Sequence, residues 1–404
     1  MIWGLAAIAL FVSAGLGLTH RLDREAHGTL LIAESVLVGG GVAAAAFAFH
    51  WALVIPFILW SAVSRPPIAL RPTKNGLVAA ALPVPILVWH AIFATRSDLY
   101  DWTNWLISRR DFYFIWGYKA RLIFASGSVP WSFLQSLPND FTPRAYPLLV
   151  PLQFAVPSIL ARAWQPQAAG IVETLLAAAA LVIAWHELPP RVAGVGTLAL
   201  AGCALLQWPG FADGPLTAYL TSAALLLRSK RCDPLAAVLL ALAAMTKDEG
   251  IAFVAGAAIA VVLTDPKRWR TFIFPVAVVV IWLFSQRHTT IDIAVPGLWP
   301  QVAHNLPLFP KAFATVGTSQ PVVWITALLA LTLSLRENLS RERFLLLVIG
   351  FQLAFYFGAY AGTMSELVGQ VNASWDRISS HVTMLVAFVG LTSIASALPS
   401  PTEG

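Results

Sequence analysis

Residues 110–121 read RDFYFIWGYKAR, and the position of this charged, aromatic stretch in the chain decides the fold. It follows an apolar run, residues 77–95, that is long enough to cross a lipid bilayer. Together with Arg109 it combines one carboxylate, four basic side chains and several aromatic rings. Charges are costly at membrane depth, so we expect this stretch at the membrane interface or in a polar cavity that faces it.

The composition indicates an all-α polytopic membrane protein. Of the 404 residues, 58% are hydrophobic and 11% are charged, whereas soluble domains carry about 25% charged residues. The formal charge of +6 is spread over short loops, so it reports membrane topology and argues against nucleic-acid binding. Only two cysteines occur, Cys203 and Cys232, which excludes a disulfide framework and a zinc site built on cysteines.

Apolar length predicts about thirteen transmembrane helices. They lie near residues 2–18, 30–50, 51–64, 77–95, 168–185, 192–207, 216–227, 234–245, 251–263, 272–284, 322–335, 344–360 and 382–397. Residues 1–75 are expected to form an N-terminal three-helix addition, and residues 76–404 the catalytic membrane domain, with a large outer loop at 96–144.

The segment 145–164 is apolar but is interrupted by Pro147, Pro151 and Pro157, which disfavours a regular spanning helix. If this segment does not cross, the basic loops 228–231, 267–270 and 336–343 all become cytoplasmic, as the positive-inside rule requires. We therefore expect a juxtamembrane or re-entrant helix at 145–164. The polar pieces 96–144, 208–214, 246–250 and 362–381 then share the outer face.

Within the opening stretch, Asp111 and Lys119 are eight residues apart, which would place them on one face of a helix. One interpretation is an amphipathic interfacial helix whose aromatic residues lie among the lipid headgroups. The other is a catalytic base and a phosphate-binding cation on the same helix.

Five motifs occur in an order that resembles a known family. They are Asp111-x4-Trp116-x2-Lys119-Ala120-Arg121, YPL-x2-PL at 146–152, ADGPL-x2-Y at 212–219, TKDEG at 246–250 and WDR at 375–377. This set resembles bacterial membrane glycosyltransferases of the GT-C fold, related to protein O-mannosyltransferases (glycosyltransferase family 39) and to the lipid A aminoarabinose transferase. The chain departs from the family at Arg110, where a tryptophan is usual. It also has no Asp-x-Asp pair around Asp111, which argues against a metal-dependent mechanism without excluding a divalent ion.

The resemblance implies a GT-C-like helical bundle of the cell inner membrane. Such a protein transfers a sugar from a polyprenyl-phosphate donor to a lipid, glycan or protein acceptor on the outer face, with inversion and with no cofactor. It also implies roles for nine residues: Asp111 and Asp213 in catalysis; Lys119, Arg121, Lys247 and Arg377 at the lipid phosphate; and Trp116, Tyr146 and Asp376 in the donor or acceptor pocket.

Simpler structural explanations stay open for several of these residues. Asp213 precedes a helix, so it is equally suited to an N-cap. Lys247 has Asp248 and Glu249 as neighbours, and Arg377 has Asp376, so each cation has a local ion-pair partner. His288, His304 and His381 show no metal-ligand spacing and are expected to be packed or interfacial.

Two other functions remain open from the sequence. The first is a transporter or flippase for a lipid-linked phosphate, in which the same cations would bind phosphate during passage. The second is an accessory subunit that contacts a synthase.

Overall fold

The structure is a computed structural model of the chain. It describes residues 2–64, 74–96, 111–136, 146–204, 210–286, 298–314, 340–363 and 365–398, with positions 325, 328 and 332. The predicted helix at 322–335 falls almost entirely outside these residues, and so do residues 97–110 and 137–145 of the predicted outer loop and its continuation.

Every regular element in the described residues is helical. The helices are α1 Ile2–Leu22, α2 Gly28–Phe49, α3 Ile55–Val63, α4 Lys74–Ala81, α5 Val84–Ala94, α6 Gly117–Ser126, α7 Trp131–Ser136, α8 Leu149–Ala161, α9 Ala168–Glu187, α10 Ala193–Ala204, α11 Asp213–Ser229, α12 Asp233–Ala244, α13 Asp248–Thr264, α14 Ile273–Ser285, α15 Leu298–Asn305, α16 Phe309–Ala314, α17 Arg343–Ala361 and α18 Leu367–Ala397. A π-helical turn, Phe112–Trp116, precedes α6.

Seven helical segments in the described part of the chain are long and apolar enough to cross a membrane. They are Ile2–Leu22, Gly28–Phe49, Lys74–Ala94, Ala168–Glu187, Pro266–Ser285, Arg343–Ala361 and Leu367–Ala397. The protein is therefore an all-helical membrane protein, as the sequence predicts. Four further apolar helices are shorter, and the count of about thirteen spans stays a prediction.

The last helix corrects the prediction for residues 362–381. We expected a polar loop there, but α18 begins at Leu367 and continues without a break for 31 residues. At about 1.5 Å per residue it is about 46 Å long, which exceeds the roughly 30 Å of the hydrocarbon core. An apolar-length criterion sees only its apolar part and misses the polar turns that carry Arg377 and His381.

The proline-containing segment forms the short helix α8. Its 13 residues extend about 20 Å, too short to cross a bilayer alone. Residues 149–158 are all buried, so α8 lies within the bundle and does not lie on its surface.

Helices α1 and α2 pack into the same hydrophobic core as α8, α9 and α11. They approach so closely that a Cβ atom on Gly39 would lie 1.7 Å from the carbonyl oxygen of Phe11. Small residues of this kind allow helix backbones to pack tightly in membranes. The proposed boundary at residue 75 stays a prediction, although α1 and α2 are part of the central bundle.

A set of ion pairs joins the helices at the end of α11 that carries Arg228. Arg228 binds Glu342 with contacts of 2.5 and 2.6 Å, and Arg231 pairs with the buried Glu34 of α2. Arg268 binds Asp233, the first residue of α12. About 23 Å of helix separates Arg228 from Asp213 at the other end of α11, so the basic loop 228–231 and Asp213 lie at opposite ends of the bundle.

Candidate functional site

Asp213, the first residue of α11, is the centre of a buried ionic cluster. Its Oδ1 lies 3.0 Å from Lys247 Nζ and 2.6 Å from His381 Nε2, and its Oδ2 lies 3.5 Å from Arg377 Nε. The side chain is only 2% exposed, and a buried carboxylate is tolerated when cations and hydrogen-bond donors surround it. Ala212 occupies the N-cap position, so the N-cap interpretation of Asp213 is wrong.

Lys247 lies in the tight turn between α12 and α13. A Cβ atom on Gly250 would lie 1.9 Å from the carbonyl oxygen of Ala243, so the turn closes only with glycine there. Lys247 Nζ contacts Glu249 Oε1 at 2.8 Å as well as Asp213. Burial acts to lower the pKa of Lys247, but the carboxylates of Asp213 and Glu249 outweigh burial and hold that pKa above its ordinary value. Lys247 is thus a fixed positive charge that bridges two carboxylates.

Arg377, in the polar first half of α18, joins the opening motif to this cluster. Its guanidinium forms an ion pair with Asp111 and lies beside Asp213. Its Cζ lies 5.3 Å from the centroid of the Phe211 ring, a cation–π contact. Residues 266 positions apart in the sequence, Asp111 and Arg377, therefore meet.

A chain of buried side chains fixes the orientation of His381. Gln352 Nε2 donates to the carbonyl oxygen of Glu249 at 3.2 Å and to the Tyr356 hydroxyl at 2.8 Å. Because the Tyr356 oxygen accepts that bond, its own proton can be donated to His381 Nδ1, 2.8 Å away. His381 then carries its proton on Nε2 and donates it to Asp213. The hydrogen bonds that run from Gln352 through Tyr356 and His381 thus end on the Asp213 carboxylate.

The helix that begins at Asp111 contains the π-turn Phe112–Trp116. Two turns of α-helix take about seven residues, and a π-turn takes up one residue more. The eight residues from Asp111 to Lys119 therefore complete about two turns, and both side chains lie on the side that faces the cluster. The shared face that the sequence predicts depends on this π-turn, which the sequence analysis did not anticipate.

Lys119 is buried beside the loop that carries Tyr146. Its side chain is 1% exposed, and Nζ donates to the carbonyl oxygen of Tyr146 at 3.5 Å. Burial lowers the pKa of Lys119 to about 8, and the nearby carboxylate of Asp248 opposes that shift. Trp116 stacks on the Tyr146 ring with centroids 5.3 Å apart and planes 4° apart. Two of the three predicted pocket residues, Trp116 and Tyr146, are thus in contact.

The remaining predicted residues are Arg121 and Asp376. Arg121 is exposed and forms no ion pair with any residue that the structure describes. Asp376 is half-buried, and its backbone oxygen accepts from Ser379 Oγ at 3.3 Å. In the described part of the chain, no three His, Cys, Asp or Glu side chains are arranged to hold a metal ion.

Two participants, His381 and Tyr356, were not predicted as site residues, whereas the predicted pairing of Lys247 with its neighbour Glu249 is confirmed. His381 is packed, as expected, but its contact with Asp213 gives it a place in the site. The available signal was spacing, because His381 follows Arg377 by four residues and i,i+4 side chains share a helix face. Tyr356 stands in an apolar run that gives no comparable signal.

The cluster thus combines carboxylates with fixed cations in a largely buried setting. Such a set can hold a phosphate at its cations and accept a proton at a carboxylate. None of the known protein families, curated proteins or solved structures that were compared matches this chain.

Proposed function

We propose that the protein is a membrane glycosyltransferase that uses a polyprenyl-phosphate-linked sugar as its donor. The observation that carries the proposal is the meeting of Asp111, Asp213, Lys247 and Arg377, which come from four separate segments. The GT-C resemblance assigns these same four residues to catalysis and phosphate binding. A lipid or interfacial setting is expected, since seven helical segments suit a bilayer.

In this proposal Asp111 is the general base. Its carboxylate takes the proton of an acceptor hydroxyl while the hydroxyl oxygen forms a bond to the anomeric carbon. The bond from that carbon to the phosphate oxygen breaks, and its electron pair stays on the departing polyprenyl phosphate. Attack opposite the leaving group inverts the anomeric configuration. General-base assistance of this kind contributes about 10²–10⁴-fold to rate.

Arg377 and Lys247 would stabilise the departing phosphate. A guanidinium binds phosphate with two parallel hydrogen bonds, and an ammonium acts as a point charge. Without donor, Arg377 holds Asp111 in an ion pair, and a carboxylate oxygen engaged in this way is not available to an acceptor hydroxyl. Donor phosphate that takes over Arg377 would release Asp111 Oδ2, so that both oxygens of the base are available to the acceptor when a donor is bound.

The rest of the proposal follows the resemblance. We place the protein in the cell inner membrane with the site on the outer face, in a GT-C-like bundle of about thirteen spans. The acceptor is a lipid, a glycan or a protein.

The test is Asp111→Asn in detergent, where no compartments exist and a transporter would give no product. The measurement is sugar transfer from a panel of radiolabelled polyprenyl-phosphate sugars to membrane extract. We expect a loss of about 100-fold or more. The matched control is Asp233→Asn, which alters another Asp–Arg pair outside the site. Transfer by a folded Asp111→Asn protein at the parent rate would remove Asp111 from the mechanism.

A further inference from the structure

A cavity of about 190 Å³ lies beside the ionic cluster, between the start of α13, the end of α17 and the start of α18. Its polar wall is formed by Asp248, Glu249, Tyr356, Tyr360, Thr363 and Gln370. The aromatic residues Tyr146 and Phe355 and the aliphatic residues Ala359 and Ile378 complete the lining. A concave space with aromatic residues and a few convergent polar groups is typical of a site for a small molecule.

Two series of side-chain contacts connect this cavity to the ionic cluster. Glu249, in its wall, binds Lys247 at 2.8 Å, and Lys247 binds Asp213. Tyr356, also in its wall, contacts His381, which in turn contacts Asp213. Because the sugar of a polyprenyl-phosphate donor is bonded directly to its phosphate, a phosphate at Lys247 would bring the sugar to this cavity.

The cavity and the ionic cluster differ in the charges of their side chains. Among the described residues that line the cavity, the acidic ones are Asp248 and Glu249, and none is a lysine, arginine or histidine. Burial raises the pKa of Asp248 to about 7, so Asp248 carries its full negative charge only above that pH. The cations Lys247 and Arg377 lie behind this wall, on the side of Asp213. Carboxylate oxygens accept hydrogen bonds from sugar hydroxyls, but they repel a second carboxylate.

We propose that this cavity binds the sugar of the donor and selects an uncharged sugar over a uronic acid. The inference rests on the proposed function and adds the class of sugar to it. The selection comes from repulsion: a carboxylate held about 5 Å from Asp248 or Glu249 would lose about tenfold or more in affinity, even with Lys247 close to Glu249.

The test measures binding of synthetic lipids to the full-length protein in detergent by native mass spectrometry. The probes are polyprenyl phosphate itself and three matched pairs of its glycosides: glucose with glucuronate, mannose with mannuronate, and galactose with galacturonate. Within a pair the two sugars differ only by the carboxylate at C6. We expect at least one neutral sugar to bind about tenfold or more tightly than its uronate partner.

Variants connect that preference to the cavity wall. Asp248→Asn should shrink the ratio between neutral sugar and uronate several-fold without altering the Lys247–Asp213 pair. Glu249→Gln gives a second, independent reading if the first variant folds poorly. The matched control is Asp265→Asn, which follows the far end of α13 and pairs with Lys230 on the surface. This control should leave the ratio unchanged.

The outcomes separate the two proposals. If bare polyprenyl phosphate binds but every uronate binds as tightly as its neutral partner, the cavity inference is overturned and the proposed function stands. A neutral-sugar preference that both wall variants leave intact also overturns the inference. If none of the seven lipids binds, the proposed function itself fails.

Discussion

Replacing Asp213 with asparagine tests whether the cluster is as tightly coupled as the geometry indicates. The substitution keeps the shape of the side chain and removes its charge. Lys247 and His381 form hydrogen bonds with the carboxylate, and Arg377 forms an ion pair with it. An asparagine presents one acceptor oxygen and one NH₂ group, so its NH₂ must face at least one of the cations.

The magnitude follows from burial. Breaking a buried ion pair by removing one partner costs about 3–5 kcal/mol, because the remaining charge stays buried without compensation. Here Lys247 keeps Glu249, and Arg377 keeps Asp111, so each cation retains one carboxylate. We therefore expect Asp213→Asn to lower the free energy of unfolding by about 3 kcal/mol, the lower end of that range.

Asp233→Asn is a matched control for this measurement. Asp233 is also the first residue of its helix, so both substitutions lose the same favourable interaction with the helix dipole. Its partner is Arg268, but the Asp233 side chain is 33% exposed, and such pairs contribute about 1 kcal/mol or less. The difference between the two variants isolates the effect of burial.

The assay is reversible unfolding by SDS in mixed micelles, followed by the fluorescence of the 16 tryptophans. Unfolding free energies for the parent and both variants come from the same titration. The expected order is parent, then Asp233→Asn, then Asp213→Asn, with about 2 kcal/mol between the variants. An Asp213→Asn protein as stable as Asp233→Asn would refute the coupled cluster.

Two further predictions use the same assay. Burial lowers the pKa of Lys119 from 10.5 to about 8, and the nearby Asp248 opposes this shift. Protonated Lys119 therefore destabilises the folded state, and Lys119→Met should stabilise the protein by about 3 kcal/mol at pH 7. Between pH 8 and 10.5 the unfolded chain holds this proton and the folded chain does not, so the stability of the parent rises and the advantage of Lys119→Met disappears. A stability difference between the two proteins that stays constant with pH would contradict the lowered pKa of Lys119. Tyr356→Phe removes the donor to His381 within a buried chain and should cost about 2 kcal/mol, more than Tyr360→Phe at a less buried hydroxyl. Equal losses of stability in the two variants would mean that the hydrogen bonds from Gln352 and Tyr356 do not orient His381.

Part of this site follows from the sequence by elementary geometry. Helices α11 and α12 are joined by a short loop, so they run antiparallel and return the chain to the end where α11 began. This places Lys247, in the turn after α12, near Asp213. The membrane class and the approximate position of most long helices follow in the same way, from apolar length.

Other contacts in the site could not be predicted from the sequence. Asp111 and Arg377 are joined by tertiary packing of segments that no local spacing relates. The polar turns of α18 resembled a loop, although the polar side chains of Ser374 and His381 are hydrogen-bonded inside the protein. Local polarity cannot distinguish a polar loop outside the membrane from polar helical turns packed inside the protein, since both avoid contact with hydrocarbon. The π-turn before Lys119 likewise has no counterpart in the apolar pattern of the sequence.

The balance of charge in the cluster restricts how an anionic substrate can enter. Lys247 and Arg377 are each already bound to two carboxylates, so an arriving phosphate competes with those carboxylates for the two cations. Asp213 is 2% exposed and has three partners, and Glu249 is 15% exposed beside Lys247. Asp111 is 31% exposed and is held by Arg377, so its displacement costs the least desolvation and breaks a single ion pair. The carboxylate that a phosphate most readily displaces is thus the one that the mechanism needs as a base, which couples donor binding to the release of Asp111.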